Sequence, residues 1–468
     1  MEQAFGRYRP DLKTSIQSKD RRRMVIDRFF KGHVPESHNF RVTDSEVSIS
    51  IPQQQQLHEI SQVVPAYIDG IQSLSQLCLI DDIQRRKSPL YRRLRNCLRL
   101  GKDFESRMEG NRKSGRDVPD LDKNREADIL SQHESARHAF AKIDLVQDCH
   151  GAFHIVELEV DKTHGFGYTA LGRKMGTNGT IGEGLVSSVA KLSGSTSTGL
   201  IVSSGAEFYL TEASYFAGEV NEKGGNLTVV SQDRILTQVD GLYTDTYPKK
   251  KVDQVLAIPQ LQTSNRGVRF DIDQTLRDLD LLEASGLLKY ISKRNYRLSD
   301  KTNLAVISNP QEDPELEELL MKVLGETNLA KLRKYIPKTE HLELSKRHKV
   351  AASAVADHSD RYFVKEVNSS GSHGLAVPGD KEAQLKLIQT KPSGVIVQEK
   401  IEPAFHHLSY TDVLTGQFGE DDFSIRYVLF TNSSGNVLDL ALTASPGIVA
   451  HGGKESILVS PKITDIFP

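Results

Sequence analysis

The segment HIVELEVDKTHGFGYTALG, residues 154–172, constrains this chain more than any other. In an extended strand successive side chains alternate faces, so Glu157, Glu159 and Asp161 share one face and Val156, Leu158 and Val160 the other. Three like charges at that spacing repel one another, and burying them unneutralised is costly. Such a strand lies at a sheet edge with a solvated acidic face, or it presents its carboxylates to a hard divalent cation. Mg²⁺ prefers oxygen donors of this kind and commonly shares them with phosphate. The glycines at 165 and 167 favour the second reading, because they let backbone approach a ligand. Gly165 to Ala170 also fits a permissive GxGxxA dinucleotide pattern. Against that, the strand before it is acidic where a central parallel strand is apolar, and Gly172, Gly176 and Gly179 leave no dependable helix after it. His150 and His154, set across a turn, read as structural rather than as zinc ligands.

At 468 residues the chain has room for two or three domains. Its 60 Lys and Arg against 62 Asp and Glu give a net charge of -2, with no global attraction to nucleic acid or anionic lipid. Cys78, Cys97 and Cys149 lack CxxC spacing and form neither a disulfide framework nor a Cys-rich zinc site. The first residues, MEQAFGRYRPDLKTSIQSKDRRR, lack the apolar core of a signal peptide, and no segment approaches the roughly 20 apolar residues of a membrane helix. A cytoplasmic, reducing location without a membrane partner is the expectation.

Four regions are expected. Residues 1–125 read as a mainly helical N-terminal region: Leu57, Ile60, Val64, Tyr67, Ile68, Ile71 and Leu74 recur at helical spacing, interrupted by Pro65. The run QRRKSPLYRRLRNCLRL (84–100) reads as an amphipathic helix with a charged outer face, and the polar stretch 101–128 as a linker. In 126–195, AFAKIDLVQD, a turn at Cys149-His150-Gly151 and AFHIVELEV predict a hairpin. In 196–300, GLIVSS, a helix over FYLTEASYFAGEVNEKG and NLTVVS alternate as β-α-β and predict a small parallel sheet. In 301–468, Asp313, Pro314 and Gly325 bound a helix. The strands RYFVKEV, GVIVQEKI, FSIRYVLF and NVLDLAL follow it.

Two of those strands carry further chemistry. In RYFVKEVNSSGSHGLAV, Lys365 stands near a strand end before the loop Ser369-Ser370-Gly371-Ser372-His373-Gly374. Glycine lets backbone N–H groups turn toward an anion, so the loop is either an ordinary hairpin turn or a cover for nucleotide phosphates. It is not a Walker loop, since no GK[ST] is present. In GVIVQEKIEP an apolar run breaks at Gln398, Glu399, Lys400 and Ile401, which is either a polar strand end or an edge against which an adenine could lie.

Taken in order, these motifs resemble the ATP-grasp superfamily, and more narrowly its circularly permuted branch related to glutathionylspermidine synthase. KIDLVQDCHGAFHIVELEVD looks like that branch's R-x-D, strand, turn, E-x-N-x-D segment, placed before rather than after VKEVNSSGSHG and VIVQEKIEP. Lys142 stands where that pattern has Arg and Glu159 where it has Asn. VDGLYTDTYPKKKVDQVLAI (239–258), KYIPKT (334–339) and LTASPGIVAHGGKESILVSP (442–461) extend the similarity over about 138–468. The resemblance implies a mixed fold, α+β with α/β parts: a permuted ATP-grasp fold with a pre-ATP-grasp α/β domain and a largely helical N-terminal region. It also implies an ATP-dependent carboxylate–amine ligase, releasing ADP, that forms an amide through an acyl phosphate, with ATP and Mg²⁺ as cofactors. Lys365 and residues Ser369, Ser370, Gly371, Ser372, His373 and Gly374 would hold the phosphates, and Gln398 to Ile401 the adenine. Asp144, Glu157 and Glu159 would hold Mg²⁺, and Arg426 would stabilise the acyl phosphate. Asp161, His164, Gly165 and Tyr168 would face a substrate. The expected partners are a small carboxylate and an amine of amino-acid or peptide type. Residues 1–125 are left with a share of the acceptor site, a dimer surface or a carrier-protein dock. The Lys142 and Glu159 departures keep open an alternative: an ATP-binding phosphotransferase or a catalytically degenerate ATP-grasp regulatory protein.

Overall fold

The structure is a computed structural model. It describes residues 7–8, 16–34, 40–79, 88–97, 138–160, 164–176, 181–202, 209–231, 234–238, 240–245, 248–256, 279, 281–292, 298–308, 313–342, 355, 357–367, 374–390, 394–447 and 456–463.

The expected hairpin forms. Strand Phe140–Gln147 pairs antiparallel with the acidic strand Phe153–Val160. Both belong to an eight-stranded sheet in which the 15-residue strand Phe418–Asn432 pairs with Phe140–Gln147 on one side and Val437–Ser445 on the other. Strand Ile457–Ile463 follows, then Arg41–Ile49, then Phe405–Asp412, which returns to pair with the first half of the long strand.

The N-terminal region is thereby more than helical. Its Arg41–Ile49 strand is built into the main sheet, where Val42, Val47 and Ile49 are buried. Helices Ile51–Gln62 and Val64–Leu79 follow, with Pro65 in the first turn of the second, where a missing N–H costs nothing. Their apolar faces share one core with the hairpin, the long strand and helix Pro314–Leu324. Asp313 caps that last helix through the N–H groups of Glu315 and Leu316.

The β-α-β expectation also holds. Strands Thr198–Val202, Leu227–Ser231, Gln254–Leu256 and Lys289–Tyr290 form a parallel sheet, with helix Leu210–Glu222 connecting the first two. A third, antiparallel sheet holds Thr339–His341, Val395–Glu399, Tyr362–Glu366 and Leu375–Ala376 in that order.

One expectation is corrected. A helix does follow the GFG segment, over Phe166–Met175, and another spans Leu185–Ser193 in the Gly/Ser/Thr-rich stretch. Gly165 starts the first helix with φ 95, and Gly176 ends it. Gly167 is there for packing: a Cβ on it would lie 2.2 Å from the backbone oxygen of Glu212 in helix Leu210–Glu222. The dinucleotide pattern still fails, because the strand before the helix is antiparallel to its neighbour. Gly167→Ala is expected to destabilise the protein by about 3 kcal/mol, since backbone rather than a side chain must move. An unchanged melting temperature would show that the two helices separate easily.

Candidate functional site

Glu157 and Glu159 pair as the alternation requires, but a register shift at Val156 puts Ile155 rather than Val156 in the core with Leu158 and Val160. Glu159 lies opposite Lys142 and Glu157 opposite Asp144, so the acidic face of one strand meets Lys142 and Asp144 of the next. Lys142 Nζ donates to Glu159 Oε2 at 2.5 Å and lies 3.6 Å from Asp144 Oδ1. Arg426, on the long strand, donates through Nη2 to Asp144 Oδ2. Lys301, just before helix Thr302–Ser308, reaches Glu157 Oε1 at 2.8 Å. Lys142, Asp144 and Glu159 are each under 5% exposed, which makes unpaired charge here expensive and these pairs necessary.

Lys365 arrives from the third sheet. Its Nζ donates to Gln398 Oε1 at 2.6 Å, and Gln398 Nε2 donates to Thr339 Oγ1 at 3.1 Å. Burial pushes the Lys365 ammonium down to about 8; Glu157 and Asp144 act against that shift and Lys301 adds to it. The lysine and the acidic strand, about 200 residues apart in sequence, thus feel each other directly. Arg426 is held above its ordinary value against its own burial, by Asp144 first and then by Glu157 and Glu159.

A second cluster flanks the first. His164 Nε2 lies 3.0 Å from Lys142 Nζ and 3.4 Å from Glu159 Oε2, and its ring centroid is 5.6 Å from that of Tyr209. Glu212 accepts from the Gly165 N–H, while its Oε2 has no hydrogen-bond partner among the described residues. Burial pushes the Glu212 carboxyl up to about 8, against the opposing pull of the Gly165 N–H, Lys142 and the Phe166 N–H. Tyr209, also raised by burial, feels Glu212, Glu159 and Arg426.

Five expected residues therefore converge: Asp144, Glu157, Glu159, Lys365 and Arg426. Others have different surroundings. Gln398 is turned inward to hold Lys365, and the N–H groups of Glu399 and Lys400 donate to Lys338 O and Arg361 O, both at 2.8 Å. Ile401 follows, half-buried, beyond the strand end. Gly374 (φ 72) closes the hairpin, accepting from Glu366 N at 2.7 Å. Tyr168 packs on Phe29 and Phe40, with ring centroids 5.2 and 5.6 Å away, rather than beside the ion pairs. Asp161, Ser369, Ser370, Gly371, Ser372 and His373 lie outside the described residues. Sequence reasoning missed Lys301, Tyr209 and Glu212. Lys301 stands in SDKTN, where Asp300 turns the chain by accepting from Thr302 N at 2.8 Å, a signal readable only as a helix start.

These pairs bear on the expected magnesium. Asp144 is bonded to Arg426, Glu159 to Lys142 and Glu157 to Lys301, so each of the three carboxylates already has a protein cation. Among the described residues no group of three His, Cys, Asp or Glu side chains is arranged to hold a metal. The donor set as it stands does not fit a three-carboxylate magnesium cage.

A glutathione synthetase-like effector from Globodera pallida, solved in its apo form, matches this structure with a TM-score of 0.54. The match covers 97% of this chain and 99% of that one. The fold is shared end to end. Identity is 12%, so the likeness concerns the fold and not the residues of the site. A protein assigned as a γ-glutamylcysteine synthetase from Methylobacillus flagellatus matches at TM-score 0.34 and 10% identity, over 69% of this chain and 80% of that one. D-alanyl-alanine synthetase A from Vibrio cholerae matches at 0.27 and 11%, over 57% of this chain and 88% of that one. No protein-family model and no curated protein sequence matches the chain. Among the described residues, no helix is long and apolar enough to cross a membrane.

Proposed function

We propose that this chain is an ATP-dependent ligase that joins a carboxylate to an amine through an acyl phosphate. The observation that carries the reading is the convergence of Lys365, from the loop-bearing hairpin, with Arg426 and the paired strands of Asp144 and Glu157. The end-to-end fold likeness to a glutathione synthetase-like chain is consistent with it.

In this reading Lys365 and Lys301 hold the terminal phosphates, and the substrate carboxylate lies toward Arg426. A carboxylate oxygen bonds to the γ-phosphorus while the bridge to the β-phosphate breaks, releasing ADP. The amine nitrogen then bonds to the acyl carbon, phosphate leaves with the C–O electrons, and the ammonium proton passes to solvent. Fixed cations favour this because charge moves over the transferred phosphoryl group, where preorganised donors count most. His164, half-exposed beside Lys142 and Tyr209, faces the position left for a substrate polar group.

The cation-bound state of the three carboxylates favours a second reading, a nucleotide-binding protein that forms no bond. Phosphate release from ATP and Mg²⁺ with pools of carboxylates and amines separates the two. Stimulation by one carboxylate–amine pair is expected. ATP binding without any stimulated ADP release removes the ligase reading. Glu157→Gln is expected to lower that turnover at least about 100-fold with the circular dichroism spectrum intact, because Lys301 loses its ion-pair partner and Lys365 a carboxylate that favours its charge. Unchanged turnover would take Glu157 out of the site.

A further inference from the structure

We infer that nucleotide binding at this site does not depend on a divalent cation; the inference rests on the ATP-binding reading above. Its basis is the charge inventory. Asp144, Glu157 and Glu159 are ion-paired with Arg426, Lys301 and Lys142, three carboxylates to three cations, and Lys365 comes under the influence of Glu157 and Asp144.

Each carboxylate already faces a protein cation, so a dication finds no uncompensated anion here, while the lysine and arginine heads suit a polyphosphate. To ligate a metal, the carboxylates would have to leave their partners, and Glu159 and Asp144 are buried too deeply to do so without stranding Lys142 and Arg426. The acidic strand is thus an anchor that aligns lysine and arginine side chains. The replacement of Asn by Glu at 159 and of Arg by Lys at 142, relative to the resembled pattern, forms one such pair, Lys142 with Glu159 at 2.5 Å. A neutral Asn there would leave Lys142 without that anion.

Calorimetric titration of the full chain with ATP, once with Mg²⁺ and once with EDTA, tests this. Affinity in EDTA is expected to equal or exceed that with Mg²⁺, within about threefold. A loss of about tenfold or more on removing Mg²⁺ overturns the inference while leaving ATP binding in place. Failure to bind ATP in either buffer removes the nucleotide reading and this inference with it. Manganese titration followed by electron paramagnetic resonance, without nucleotide, supplies a second readout. No bound-ion signal is expected, and a stoichiometric site lost in Glu157→Gln overturns the inference.

Discussion

Lys365→Ala is expected to weaken ATP binding about 10- to 100-fold while the protein stays folded, as titration against circular dichroism would show. A charge-assisted hydrogen bond to a largely desolvated anion contributes about 1.5–3 kcal/mol, which sets that range. Two structural effects of the substitution oppose each other. Gln398, 1% exposed, loses the donor to its Oε1. In return the fold no longer carries an ammonium that burial disfavours. Because burial holds Lys365 near 8, below the ordinary 10.5, the unfolded chain binds more protons between those values. Stability therefore rises with pH across that window in the parent protein, and Lys365→Ala flattens the rise. ATP binding has the opposite sign: phosphate favours the ammonium, so affinity is expected to be level near pH 7 and to fall as pH passes about 8. Lys365→Arg keeps its charge and should remove that fall. An affinity independent of pH in the parent, or unchanged in Lys365→Ala, would take the lysine off the phosphates.

What could be read beforehand follows from which interactions are local. Alternation fixes the acidic face of 157–159, and Asp313 with Pro314 and Gly325 fixes a helix, because caps and pleats act within a few residues. That Lys365 comes under the influence of Glu157 and Asp144 was implied only by the resemblance to permuted ATP-grasp chains, since no local pattern records it. The neutralising partners were out of reach: Lys301 and Glu157 are 144 positions apart, and no periodicity records a pairing of that range. Gly167 and Gly172 were misread for the same reason. Glycine lowers helix propensity locally, but here the helix is sustained by buried neighbours, with Gly167 against the Glu212 backbone and Gly172 beside Leu458. The strand Arg41–Ile49 was hidden too, because its neighbours in the sheet are more than 350 residues away.

Arg426→Met is expected to lower stability by about 3–5 kcal/mol, the usual cost of removing one partner from a buried pair. The cause is Asp144, 4% exposed, whose remaining ion-pair partner among the described residues would be Lys142, 3.6 Å from its Oδ1, with Lys365 a weaker influence. Adding Asp144→Asn takes away the stranded charge, so the double variant should recover most of the lost stability, read as urea midpoint at constant slope. Turnover separates the structural part of Arg426 from its chemical part. If its guanidinium also stabilises charge on a transferring phosphoryl group, single and double variants alike lose about 100-fold or more in kcat, whatever their stability. Recovery of kcat together with stability in the double variant would make Arg426 a partner of Asp144 alone, and the phosphoryl charge would then rest on Lys301 and Lys365.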